Sequence, residues 1–201
     1  MDRKKFLRKA TLTAISLSIF GSISGKSDGT FQGDCETTND ILGPFYRANA
    51  PQRSDLTFAG LKGSRVTLKG RVFQDDCITP VPNALVEIWH CDTEGAYDNE
   101  SDAYLHRASW RTNAAGEYSF TTILPGKYLN GGQYRPAHIH IRAGHGEMNE
   151  LISQVYFKGD PHIEKDPWAS QKKAEKRILE IILEDAKGNL VLNFDISLRR
   201  R

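Results

Sequence analysis

Short runs in which apolar and polar residues alternate, each closed by Gly, Pro, Asn or Asp, constrain this chain more than any other feature. Arg65–Phe73 sets Val66 and Leu68 against Thr67 and Lys69, and Ala84–Trp89 sets Ala84, Val86 and Ile88 against Leu85 and Glu87. Glu117–Ile123, His138–Ile141, Leu151–Phe157, Ile178–Leu183 and Leu190–Ile196 continue the series, and Ala169–Arg177 alone reads as helix. A period of two buries one face of a strand, so many short strands with turn signals between them predict an all-β fold. The expected architecture is a β-sandwich of short, mostly antiparallel strands with long loops and little helix. A parallel α/β fold is disfavoured because the crossover helices it needs are missing.

Charge divides the chain unevenly. Residues 1–26 hold six basic side chains (Arg3, Lys4, Lys5, Arg8, Lys9, Lys26) and one acid, Asp2. The remainder carries 21 basic and 24 acidic residues, so the body is mildly acidic and nucleic acid is not expected as a partner. A basic start followed by the uncharged stretch Thr11–Ile23 has the layout of a secretory signal, too short and too rich in Ser and Thr for a stable membrane anchor. Arg3–Arg8 also resembles a twin-arginine signal with Lys4 in place of the second arginine. The expected layout is a signal segment at 1–26, an extended N-terminal arm at 27–60, and a β-sandwich catalytic domain at 61–201. The expected location is outside the cytoplasm, in a periplasm or the medium. The arm is long enough to cover a partner subunit or its own sandwich, which leaves a homo-oligomer open. Arg199, Arg200 and Arg201 read as a solvated tail.

Export permits one disulfide among Cys35, Cys77 and Cys91. Three pairings exist and the sequence does not choose among them. The polar setting of Cys35 and the turn-rich setting of Cys77 lean toward that pair. Metal binding by these cysteines is disfavoured, since no CxxC spacing occurs.

Arg135-Pro136-Ala137-His138-Ile139-His140-Ile141 is the sharpest local feature. Residues i and i+2 of a strand share a face, so His138 and His140 point one way while Ile139 and Ile141 point into the core. Two imidazoles so placed can share a metal ion. Tyr128 lies ten residues earlier, and Tyr97 closes the loop after Ile88-Trp89-His90. A trivalent cation stabilises a phenolate strongly, so two phenolates and two neutral imidazoles would suit Fe(III) better than Zn(II). A lone HxH or a lone tyrosine is more often packing than ligation.

Here the chain resembles the intradiol ring-cleavage dioxygenases. The shared motifs run in order from Leu42-Gly43-Pro44-Phe45-Tyr46 through Pro82–Asp92 with Gly95-Ala96-Tyr97, and Arg111–Phe120. They continue with Pro125-Gly126-Lys127-Tyr128, Arg135–His140 and Gln154–Asp160. The resemblance implies a non-haem Fe(III) cofactor held by Tyr97, Tyr128, His138 and His140, with Tyr128 the phenolate that leaves when substrate arrives. It implies Arg135 beside the substrate ring, Gln154 lining the same pocket and Tyr46 touching substrate. The implied partners are a catechol-type diol and O2, and the implied product is a cis,cis-muconate-type diacid. An acidic substrate would call for another cation, for which Arg47, Arg53 and Arg107 are the candidates. Two rivals remain: a β-sandwich binding module without chemistry, and a zinc hydrolase that recruits His145 or Glu147 as a third ligand.

Overall fold

In the computed structural model of this protein, residues 23–25, 31–33, 35–184 and 188–201 are described. β1 (Ile23–Gly25) and β2 (Phe31–Gly33) form a small antiparallel pair. The sandwich begins with β3 (Arg65–Gln74), β4 (Leu85–Trp89), β5 (Arg107–Arg111) and β6 (Glu117–Ile123). A hairpin of β7 (Tyr128–Asn130) and β8 (Gln133–Arg135) follows, then β9 (His138–Gly144) and β10 (Leu151–Phe157). The chain ends with β11 (Ile178–Leu179), β12 (Ile182–Leu183), β13 (Leu190–Asn193) and β14 (Ile196–Leu198).

One sheet has the order β11-β10-β9-β4-β5. The other has β12-β13-β3-β14, with β6 also pairing β3. Most pairings are antiparallel; β10 with β11 and β3 with β13 and β14 are parallel. The inner faces meet in one core, to which Val86, Ile88, Ile139, Ile141 and Val155 come from the first sheet. Val66, Leu68, Phe120, Leu192 and Ile196 come from the second. This is the all-β sandwich that the alternation predicts.

Several details differ from the sequence reading, the unforeseen β7–β8 hairpin and β1–β2 pair among them. The stretch Ala169–Arg177 is not an α-helix: only Lys172–Arg177 coils, as a 3-10 helix, and a second short one spans Ile163–Lys165. Its two buried residues, Ala174 and Arg177, stand three apart, the repeat of a 3-10 turn. Each of the last two runs is interrupted. In Leu190–Ile196 the break falls at Phe194 and Asp195, where the Asp195 carboxylate accepts the Arg71 amide and replaces a ladder bond. Strand β5 escapes the pattern because its buried end is Arg107, whose guanidinium satisfies itself on the carbonyls of Asp98 and Phe45.

Residues 35–60 of the arm strap their own sandwich. Asp40 N donates to Ile152 O beside β10, Gln52 bridges Ser109 in β5, and Asp55 bridges Thr121 in β6. The strap therefore crosses the outer face of the first sheet and turns onto the second. A disulfide from Cys35 to Cys77 fastens its start; Cys91 is free and buried. The expected signal segment falls largely on 1–22, outside the described residues.

Candidate metal centre

The site grows from the register of β9. Trp89 of β4 and Gln154 of β10 pair with His140, and Tyr156 pairs with His138. Cross-strand partners share a face, so these five side chains form one patch on the outer side of the sheet, opposite Ile139 and Ile141. The imidazole rings lie 4.8 Å apart, and the Trp89 indole stacks on His140 at 4.7 Å. Gly43 of the strap passes over this patch. A Cβ there would stand 3.1 Å from His140 Cε1, and its φ of +73° suits glycine, so the chain can lie directly on the ring.

Two loops bring the phenols. Asp92 accepts the amides of Glu94 and Ala96, which turns the chain after β4 and presents Tyr97. Gly95 allows this turn to lie against β7, since a Cβ would meet Lys127 O at 2.5 Å. Tyr128 opens β7 and pairs across the hairpin with Arg135. The Tyr97 ring stands 5.6 Å from that of Tyr128 and 6.3 Å from that of His140, and Tyr128 stands 5.6 Å from His138. Phe45 stacks on Tyr97 at 4.2 Å and meets Tyr128 edge-on. Side chains 43 residues apart in sequence thus converge on one point.

Their electrostatics invite a cation. Tyr97 Oη, His138 Nε2 and His140 Nδ1 are buried without a hydrogen-bond partner. His138 Nδ1 lies 2.7 Å from Pro136 O, which assigns the ring proton to Nδ1 and leaves a lone pair on Nε2. Burial, then the charge of Arg135, pushes His138 down to about 4. Burial and neighbouring His138 hold His140 well below the usual imidazole range. Both rings are therefore neutral donors. Burial, then Cys91 and Tyr128, holds the Tyr97 phenol far above the usual range, so its ionisation needs a strong positive charge nearby. Two oxygens and two ring nitrogens of this kind fit a hard trivalent ion. Among the described residues no three His, Cys, Asp or Glu side chains come together as a metal site. His145 lies beyond the far end of β9, which removes the support for a zinc site built on His138 and His140.

Arg135 is buried beside the cluster. Its Nε donates to Asp166 Oδ2 at 2.7 Å, and its Nη2 reaches Asp166 Oδ1, Gln154 Oε1 and Tyr156 Oη at 3.2 Å each. Burial is the largest influence and opposes its charge, but the Asp166 hydrogen bond, the nearby Tyr156 and Asp166, and the Tyr128 hydroxyl together outweigh it and keep the guanidinium protonated. Gln154 also donates to Ile41 O at 2.8 Å, which ties the strap to β10. Tyr46 packs edge-on against Trp89, and its hydroxyl is taken by Arg142 and Glu87. Arg107 is spent on carbonyls of the 98 and 45 loops and on Asn99. Arg53 is spent on the carbonyls of Ala103, Tyr104 and Arg107, and Arg47 on those of Asp98 and Ser101. These three arginines bind loops together. Sequence reasoning gave no role to Asp166, Trp168, Phe45 or Tyr156; the first three carry no periodic signal that would place them here, whereas Tyr156 shares the Gln154 face of the expected strand by its period of two.

These features describe a two-sheet β-sandwich that carries a buried cluster of phenols and imidazoles on the outer face of one sheet. The chain belongs to the intradiol ring-cleavage dioxygenase family: the family model described as dioxygenase matches residues 41–200. It is 34% identical over 150 residues to catechol 1,2-dioxygenase 2 of Acinetobacter lwoffii, covering 65% of this chain and 54% of that protein. It is 34% identical over 190 residues to the protocatechuate 3,4-dioxygenase beta chain of Burkholderia cepacia, covering 83% and 80%. Among solved structures, the dioxygenase domain of a carbohydrate-binding fusion from Streptomyces sp. SirexAA-E superposes with a TM-score of 0.71 at 28% identity. That match covers 83% of this chain and 99% of that domain.

Proposed function

We propose that this chain is a non-haem Fe(III) intradiol dioxygenase that inserts both atoms of O2 into a catechol-type diol and yields a cis,cis-muconate-type diacid. Tyr97, Tyr128, His138 and His140 would hold the iron. The observation that carries the reading is the set of buried, unpartnered donor atoms, Tyr97 Oη, His138 Nε2 and His140 Nδ1, on rings that meet at one point. A bound ferric ion supplies the charge that stabilises phenolates and draws electron density from the diol, so that its ring reacts with dioxygen.

The protein's own groups divide the remaining work. Tyr128 Oη accepts a proton as the diol binds, which keeps the charge of the site balanced. Arg135 Nη1, buried and unpartnered, faces negative charge that develops on the substrate; a fixed cation in a dry site stabilises such charge strongly. Gln154 ties Arg135 to the strap, accepting from Arg135 Nη2 and donating to Ile41 O, and so lines the pocket between them. Phe45 and Trp89 wall the cluster with apolar surface and exclude water. Tyr46, through Trp89, backs His140.

Aromatic compound catabolism outside the cytoplasm is the setting we infer. The Cys35–Cys77 disulfide supports an oxidising compartment, as does the leader-like start of the sequence. Among the described residues no helix is long and apolar enough to cross a membrane. An oxygen electrode with a panel of substituted catechols tests the reaction. Oxygen uptake with a rising diacid absorbance is expected; iron-loaded protein that consumes no oxygen with any diol would overturn the reading.

A further inference from the structure

The guanidinium of Arg135 offers five N–H donors in a rigid fork, and its surroundings use only one side of it. Nε and Nη2 are occupied by Asp166, Gln154 and Tyr156, while Nη1 is buried with no well-aligned partner and the Tyr128 hydroxyl acts on the guanidinium from the cluster. The Trp168 ring lies 4.4 Å over the guanidinium carbon and fixes its plane. Asp166 is itself locked, because Oδ1 accepts the amides of Trp168 at 3.0 Å and Ala169 at 2.8 Å. Both Arg135 and Asp166 are almost fully buried, so their pair is not loosened by solvent. Asp166 stands 31 residues from Arg135, on the turn after Ile163–Lys165; among the described residues it makes no hydrogen bond or ion pair with the four cluster side chains and reaches His138 only as a charge through space.

We propose that Asp166, with Trp168 as its lid, is a positioning residue for the ring-cleavage reaction: it holds Arg135 so that Nη1 alone stays free for the substrate. The inference rests on the dioxygenase reading and adds a residue to it. A carboxylate is needed because only two acceptor oxygens in one plane can take Nε and Nη2 together. An amide at this position keeps one acceptor for the Trp168 and Ala169 amides but turns N–H groups toward Nε. The fork then loses its reference edge, and a shift of about 1 Å in a catalytic group costs on the order of 10²-fold in rate.

The test uses iron-loaded protein with Asp166→Asn, Asp166→Glu, Arg135→Ala and the Arg135→Ala/Asp166→Asn double variant. Iron content, melting temperature, anaerobic catechol Kd from the tyrosinate colour, and kcat are measured for each. Asp166→Asn should keep iron and colour, change Kd by less than about threefold and lower kcat roughly 10²-fold. Asp166→Glu should recover part of that loss. In the Arg135→Ala background, Asp166→Asn should lower kcat far less, because its main path to the substrate runs through Arg135. Unchanged kcat in Asp166→Asn, loss of iron, or an equal drop in both backgrounds would overturn the proposal. If Asp166→Asn does not fold, Trp168→Leu takes its place, with a drop of about tenfold expected only when Arg135 is present. Wild-type protein that holds iron yet cleaves no diol brings down the dioxygenase reading itself, and that result is seen before any substitution is made.

Discussion

The two faces of the first sheet are built from the same strands and do opposite things. The inner face shows Ile88, Ile139, Ile141 and Val155, apolar side chains that fill the core and need no partner. The outer face shows Trp89, His138, His140, Gln154 and Tyr156, all buried as well, yet several carry polar atoms. Burial of apolar area stabilises the first face by about 1.5–3 kcal/mol per side chain. Burial of polar atoms costs free energy unless each is bonded, and at the cluster some are not. One face stores stability, and the other uses part of it to keep donor atoms dry and unpartnered under the strap.

The sharpest break of this comparison lies between strap and sheet. Arg177 Nη1 donates to Asp40 Oδ2 at 2.5 Å, with both side chains almost fully buried. Asp40→Ala should destabilise the protein by about 3–5 kcal/mol in urea unfolding, since it strands a buried guanidinium. Ile139→Ala on the inner face should cost about 2–5 kcal/mol in the same experiment while the iron-loaded protein keeps its colour. Reducing the Cys35–Cys77 disulfide, 42 residues apart, should cost about 2–4 kcal/mol and lower the melting temperature without changing iron content. Acid should act gradually rather than in one step. Burial, then His106, pushes His90 down to about 3, so it is neutral in the fold but takes a proton in the unfolded chain near pH 6.5. A depressed histidine contributes stability that is present above its unfolded pKa and lost as pH falls toward the folded value. At most about 1.4 kcal/mol per pH unit is lost between pH 6.5 and 3. Melts of His90→Gln should fall less steeply over that window than those of the parent.

The sequence discloses these two faces to different degrees. Alternation places β3, β6 and β10 to the residue or nearly so, because their inner faces are mostly apolar, broken by Thr122 in β6 and Ser153 in β10. It also puts His138 and His140 on one side of a strand, a statement about period alone. Tyr97 and Tyr128 are legible only through the family's motifs, because a loop tyrosine has no local sign of ligation. Asp166, Trp168, Asp40 and Arg177 are not legible at all. Their contacts span 31 to 137 residues and depend on where the strap and the turn after β10 settle. The same is true of Gly43, whose missing side chain matters only once His140 lies beneath it.

The electronic spectrum of iron-loaded protein, beside that of Tyr97→Phe, examines the convergence of the four rings most directly. A red-brown tyrosinate-to-iron band in the parent, weakened or lost in Tyr97→Phe while the melting temperature stays within a few degrees, is the expected pair of results. A fully iron-loaded parent without that band, or a variant that keeps it unchanged, would contradict ligation by Tyr97.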